Sequence, residues 1–153
     1  MSYRIIDEPG PSTLEKLATN PFWPFFAAMF AGAWLAWPWF VVNSFALGSS
    51  RRSGDLGLVA LGIAINVVLV LVLGQLRVSG VLGEASFAYA LLVPQAARLI
   101  VLYLLYMRQE RTFQLFEHFG GVGKNGLLLV IAGGFLRNKV LASAPGLWVL
   151  LLA

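Results

Sequence analysis

Twenty-one consecutive residues, 56–76, carry no charged side chain. A run of that length matches the ~20 apolar residues that a helix needs to cross a bilayer. It has company: 22–47 is also uncharged, 87–106 is interrupted only by Arg98, and a weaker run begins at Gly126. With 59% hydrophobic residues and a mean hydropathy of +0.80, a soluble fold of 153 residues has no core large enough to hide this surface. In a bilayer it needs no hiding, because each helix satisfies its own backbone groups. The expected class is an all-α polytopic transmembrane bundle with short interfacial helices. Four spans are favoured and three are possible. The expected location is multi-pass in a plasma or inner membrane.

The expected organisation is a polar lead-in over 1–21, a transmembrane bundle over 22–142 and an apolar stub over 143–153. In the lead-in, Pro9-Gly10-Pro11 is a break and Ser12-Thr13-Leu14-Glu15 fits a capping box. A short helix should follow at the membrane surface, closed by Asn20-Pro21, with Asn20 capping the next helix.

The first apolar run is crowded with Trp and Phe, and Ala28, Gly32 and Ala36 recur every four residues. Such a strip of small side chains lets a second helix approach closely. Pro38 predicts a kink. A kinked span is the simpler reading of 22–47, with a re-entrant hairpin as the alternative. Asp55 is expected to cap the second span after a short loop at 48–54.

The third helix should continue past the membrane through Phe119. On a helical wheel, Glu110, Arg111, Gln114, Glu117 and His118 fall on one arc, opposite Phe113 and Phe116. The final run, 126–136, has eleven uncharged residues, too few to span alone. Arg137 and Lys139 could snorkel and extend it to Ala142, before a break at Pro145-Gly146. With four spans the basic residues divide evenly: Arg4, Lys16, Arg77, Arg137 and Lys139 against Arg51, Arg52, Arg108, Arg111 and Lys124. With three spans the Arg51 side becomes the cytoplasmic one.

Arg98 is the chemical outlier. It lies near the midpoint of the third run, where an arginine normally faces a bundle interior or a wet cavity. Gln95 precedes it by one turn, and Asn66 sits at a matching depth in the second run. These three residues form the candidate intramembrane polar site, either as an anion site or as an interhelical tie. On the second reading Arg98 donates to backbone carbonyls near Pro94 and to amide side chains.

No catalytic, metal or cofactor constellation is legible. The chain has no cysteine and a single histidine, His118. The segment from Gly120 to Asn125 fails the phosphate-loop pattern, since His118 stands where its first glycine is required. No Ser–His–Asp set can be assembled. The net charge of +4 is scattered rather than striped, which argues against nucleic acid.

The expectation is a non-enzymatic membrane protein acting by association, as a subunit, assembly factor or scaffold. Its partners would be the lipid bilayer and another membrane protein or a second copy of itself. The alternative is a binding or transport component for an anionic lipid or solute, centred on Arg98.

Overall fold

A computed structural model describes residues 12–144, 146 and 148–152. Arg4, the Pro9–Pro11 break, Pro145 and the last residue of the apolar stub lie outside them. The described residues form helices only: a 3-10 turn at Glu15–Leu17, then α1 (Phe22–Phe30), α2 (Ala33–Ala46), α3 (Arg52–Val78), α4 (Glu84–Ala90), α5 (Leu92–His118), α6 (Leu127–Ser143) and α7 (Trp148–Leu152).

Two stretches, α3 and the continuous α4–α5 segment Glu84–His118, are long and apolar enough to cross a membrane. Only 22% and 28% of their most apolar windows are buried within the chain, so most of each apolar window faces outward from it. α3 packs through one stripe of Asp55, Val59, Gly62, Asn66 and Val70, the three-to-four spacing of a single helical face. Its remaining faces expose Leu61, Ile63, Val68, Leu71 and Val72. α5 buries a matching stripe, running from Pro94 and Arg98 through Leu102, Leu105 and Gln109 to Phe113 and Phe116. The helix runs straight through the expected amphipathic extension and ends at His118.

The first apolar run differs from expectation. A single kinked helix over 22–47 does not form, because the chain reverses at Ala31–Gly32. Gly32 has φ 106° and ψ 174°, a conformation essentially reserved for glycine, and its N–H bonds back to Ala27 O at 3.0 Å. α1 and α2 therefore lie antiparallel as a helical hairpin with a two-residue tip. At its open end, Asn43 Oδ1 accepts from the backbone N–H of Thr19 at 2.9 Å, and Ser12 Oγ donates to Phe45 O at 2.7 Å. Pro38 sits within α2 without ending it.

Ala28 and Ala36 thus lie on opposite arms of the hairpin, both buried in one core with Trp37, Phe40, Val59, Val101 and Leu105. The small-residue strip is used inside the chain and is not a face of one helix.

Local signals behave in mixed ways. The Asn20 side chain accepts from Phe22 N–H at 2.8 Å, as a helix-starting residue should. Ser12 accepts from Leu14 N–H at 3.1 Å, but the segment that follows is a single 3-10 turn. Asp55 does not cap α3, which starts at Arg52; it lies in the first turn and faces inward.

α6 starts beside α1 and runs parallel to it. The connector pairs there in parallel, with Lys124 N–H donating to Ala18 O at 2.8 Å. Asn125 accepts from Leu127 N–H as Asn20 does from Phe22. Two glycines set the approach. A Cβ at Gly126 would stand 2.7 Å from Trp23 and Trp39, and one at Gly133 would stand 2.9 Å from the Ala31 Cβ at the hairpin tip. α7 returns against α2, α3 and α6.

Candidate functional site

Polar side chains buried in an apolar bundle need partners. Sorting them by whether they have one separates the scaffold from the candidate site.

Two clusters are satisfied, both toward the hairpin's open end. Gln109, fully buried, donates through Nε2 to Phe40 O at 2.8 Å and accepts from Asn43 Nδ2 at 3.1 Å. Asn43 also accepts from the Thr19 hydroxyl at 3.2 Å, while Trp39 Nε1 donates to that hydroxyl at 3.0 Å. This chain of bonds pins α1, α2 and α5 together. In the second cluster, Asp55 is 3% exposed and accepts from Ser44 Oγ at 3.0 Å and from Arg108 Nε at 3.0 Å. Gly54 makes room for it, since a Cβ there would collide with the Arg108 guanidinium.

The third cluster is not satisfied. Arg98 is 5% exposed, and among the described residues its one side-chain hydrogen bond is to Gln95 Oε1. Its Nε is buried with no partner. Asn66 does not bond Arg98; its Nδ2 donates to Pro94 O at 3.4 Å instead. Gln95 and Arg98 are thus brought together, while Asn66 ties α3 to α5 one turn away. On α6, the Arg137 Nε is likewise buried and unpaired among the described residues. No carboxylate pairs with either guanidinium among the described residues.

The hairpin tip sits at the same level. α2 and α5 run in the same direction: Asn43 meets Gln109, and Trp37 stands beside Val101 across Gly62. Continuing that register by one turn brings Ala33, the first residue of α2, level with Arg98. No side chain caps this start of α2, so its N-terminal dipole adds positive potential. Arg137 follows Gly133 by one turn, just beyond the point where α6 crosses the tip.

Sequence reading singled out Arg98, Gln95 and Asn66 but assigned Arg137 to the interface. The signal for Arg137 was present in the length of its run. Eleven uncharged residues are about half of what a span requires, so a helix entering at the interface carries its next residue to mid-depth. Gln109, Asn43 and Thr19 offered no such signal, since isolated amides near helix ends are ordinary surface residues. Among the described residues no group of His, Asp and Glu gathers as a metal site. No protein-family model, characterised protein or solved structure matches the chain.

Proposed function

We propose that this is a multi-pass membrane protein that binds an anionic group at bilayer depth, between Arg98, Arg137 and the tip of a re-entrant hairpin. The observation that carries this reading is the pair of buried, unpaired guanidinium nitrogens with no carboxylate paired to them among the described residues. An arginine at the centre of a span costs about 2.5–3.5 kcal/mol on insertion scales, and a second like charge nearby adds repulsion. A bound anion offsets both, and a guanidinium fork suits a carboxylate or phosphate. The role is binding rather than catalysis. The small-residue strip that had suggested association is occupied within the chain.

The hairpin also supports a topology. α3 and α5 cross the bilayer, α1–α2 enters and returns on one face, and α6 starts from that same face and extends past the tip. Lys16, Arg51, Arg52, Arg108, Arg111 and Lys124 then lie toward one face, with Arg77 and Lys139 toward the other. This asymmetry makes the open end of the hairpin cytoplasmic in a plasma or inner membrane. The even division expected from four simple spans disappears because Lys16 moves to the Arg51 side, Arg137 is taken up in the site, and Arg4 lies outside the described residues.

The test is retention of anionic lipid or solute by protein purified in mild detergent, read by native mass spectrometry. Wild type should carry one bound anion more than Arg98→Leu or Arg137→Leu, and Arg98→Lys should weaken that additional binding about tenfold, since a point charge does not reproduce the fork. The same number of bound anions in all four proteins, or none in wild type, overturns the proposal.

A further inference from the structure

The hairpin's open end holds a second feature, separate from the tip. Between the start of α3 and the middle of α5 lies a cavity of about 540 Å³, within the size range of small-molecule sites. Its charged lining residues are Arg51, Arg108, Arg111 and Asp55. Asp55 is already engaged on both oxygens, by Ser44 and by Arg108 Nε. Arg51 and Arg111 are exposed and form no ion pair among the described residues, so the cavity carries an excess of positive charge.

The Asp55–Arg108 pair also fixes the antiparallel register of α3 on α5 here. Arg51 lies one turn from Asp55 toward the open end, and Arg111 lies one turn from Arg108 in the same direction. Leu58 and Leu104, which also line the cavity, lie one turn the other way on each helix. Inward from Arg51 and Arg111 the cavity therefore passes from cationic to apolar over seven residues, or about 10 Å of helix, while Leu115 lines it one turn outside Arg111. The gradient points from the cytoplasmic interface into the bilayer. That is the polarity profile of a phospholipid from its phosphate to the first segment of an acyl chain.

We infer that this cleft binds one anionic phospholipid, its phosphate between Arg51 and Arg111 and its chain against Leu58 and Leu104. The assignment rests on the membrane reading above but not on the anion site at the hairpin tip. Arg108 is a positioning residue here: its Nε is committed to Asp55, which holds the guanidinium flat against Gly54 at the cleft wall.

The experiment measures retained phosphatidylglycerol and phosphatidylcholine by native mass spectrometry after reconstitution in equimolar vesicles and mild detergent extraction. It is run in an Arg98→Leu/Arg137→Leu background, so that a lipid held at the tip does not contribute. Phosphatidylglycerol should be retained at least tenfold over phosphatidylcholine. R51A/R111A should abolish that preference while leaving the melting temperature in detergent unchanged, since both side chains are exposed. Leu104→Trp, which fills the apolar end and leaves every charge in place, should reduce retention about tenfold.

Equal retention of the two lipids overturns the inference, as does an unaltered preference in R51A/R111A. A Leu104→Trp variant that retains lipid like its parent overturns the placement of the chain. Thermal protection by glycerol phosphate alone, equal to that by the lipid, would show a site for soluble anions instead.

Discussion

The runs 22–47 and 56–76 are alike in composition terms: both are uncharged, apolar and long enough to cross a bilayer once. One forms a hairpin of two short helices, the other the middle of a 27-residue helix. At 1.5 Å per residue, α1 and α2 reach about 13 and 21 Å, while α3 extends about 40 Å. Against a hydrocarbon core of ~30 Å, only α3 of these three is long enough to span.

The difference comes from what stands at the middle and ends of each run. The first has Gly32 at its centre and hydrogen-bonding side chains flanking it, Thr19 before and Asn43 near its end. The second has Gly62 and Asn66 at its centre, both in helical conformation and both turned toward α5. A glycine breaks a helix when the ends it brings together have partners, and otherwise serves as a place for close packing.

The strongest way to break this comparison is Gly32→Leu. The residue would be forced into a backbone region that costs about 1–3 kcal/mol for a side chain, at a buried tip. We expect loss of the hairpin and a fall in detergent melting temperature larger than for any other single change in this protein. The paired control, Gly32→Ala, should fall less but still clearly. Both variants melting like wild type would show that the tip does not need a glycine.

Gln109→Leu attacks the open end instead. It leaves the Asn43 Nδ2 donor without a partner, at about 1–3 kcal/mol for a buried unsatisfied group, and removes the side-chain donor to Phe40 O. Limited proteolysis should then cut between the 3-10 turn and α1, where the Thr19 side chain is held through Asn43 and Trp39.

In the long helix α3 the effects differ in sign, and the smallest belongs to Gly57. A Cβ at Gly62 would stand 2.6 Å from Trp37 and 2.8 Å from Val101, so Gly62→Ala should cost about 1–3 kcal/mol by overpacking. A Cβ added at Gly57 would meet nothing within 4 Å, so Gly57→Ala should gain about 0.5–1 kcal/mol from helix propensity. Opposite signs at two glycines of one helix, read from paired melting curves, would sharpen the distinction between packing and breaking.

Sequence reading captured the helical class, the second and third apolar runs as long helices, and the apolar arc of Phe113 and Phe116, which is buried. It could not decide between a span and a hairpin at 22–47, because periodicity reports only which residues share a face. Whether Gly32 reverses the chain depends on the Thr19–Asn43–Gln109 bonds, and these join positions up to 66 residues apart. The same limit hid the Asp55–Arg108 pair, whose partners are 53 residues apart. Arg98 was legible because a charge at mid-span is anomalous by itself. Arg137 had only the shortness of its run as a signal, because its place also depends on where α6 begins, and that is set by the parallel pairing of Lys124 with the start of the hairpin.

The central claim is that 22–47 enters and leaves on one face, and residue accessibility tests it most directly. The chain has no cysteine, so single replacements at Thr13, Ser50 and Val81 report without background. All three are exposed and stand before the hairpin, after it and beyond α3. With a membrane-impermeant thiol reagent on sealed vesicles of known orientation, Thr13→Cys and Ser50→Cys should label from the same face and Val81→Cys from the opposite one. Labelling of Thr13→Cys and Ser50→Cys from opposite faces would contradict the hairpin and restore a single crossing.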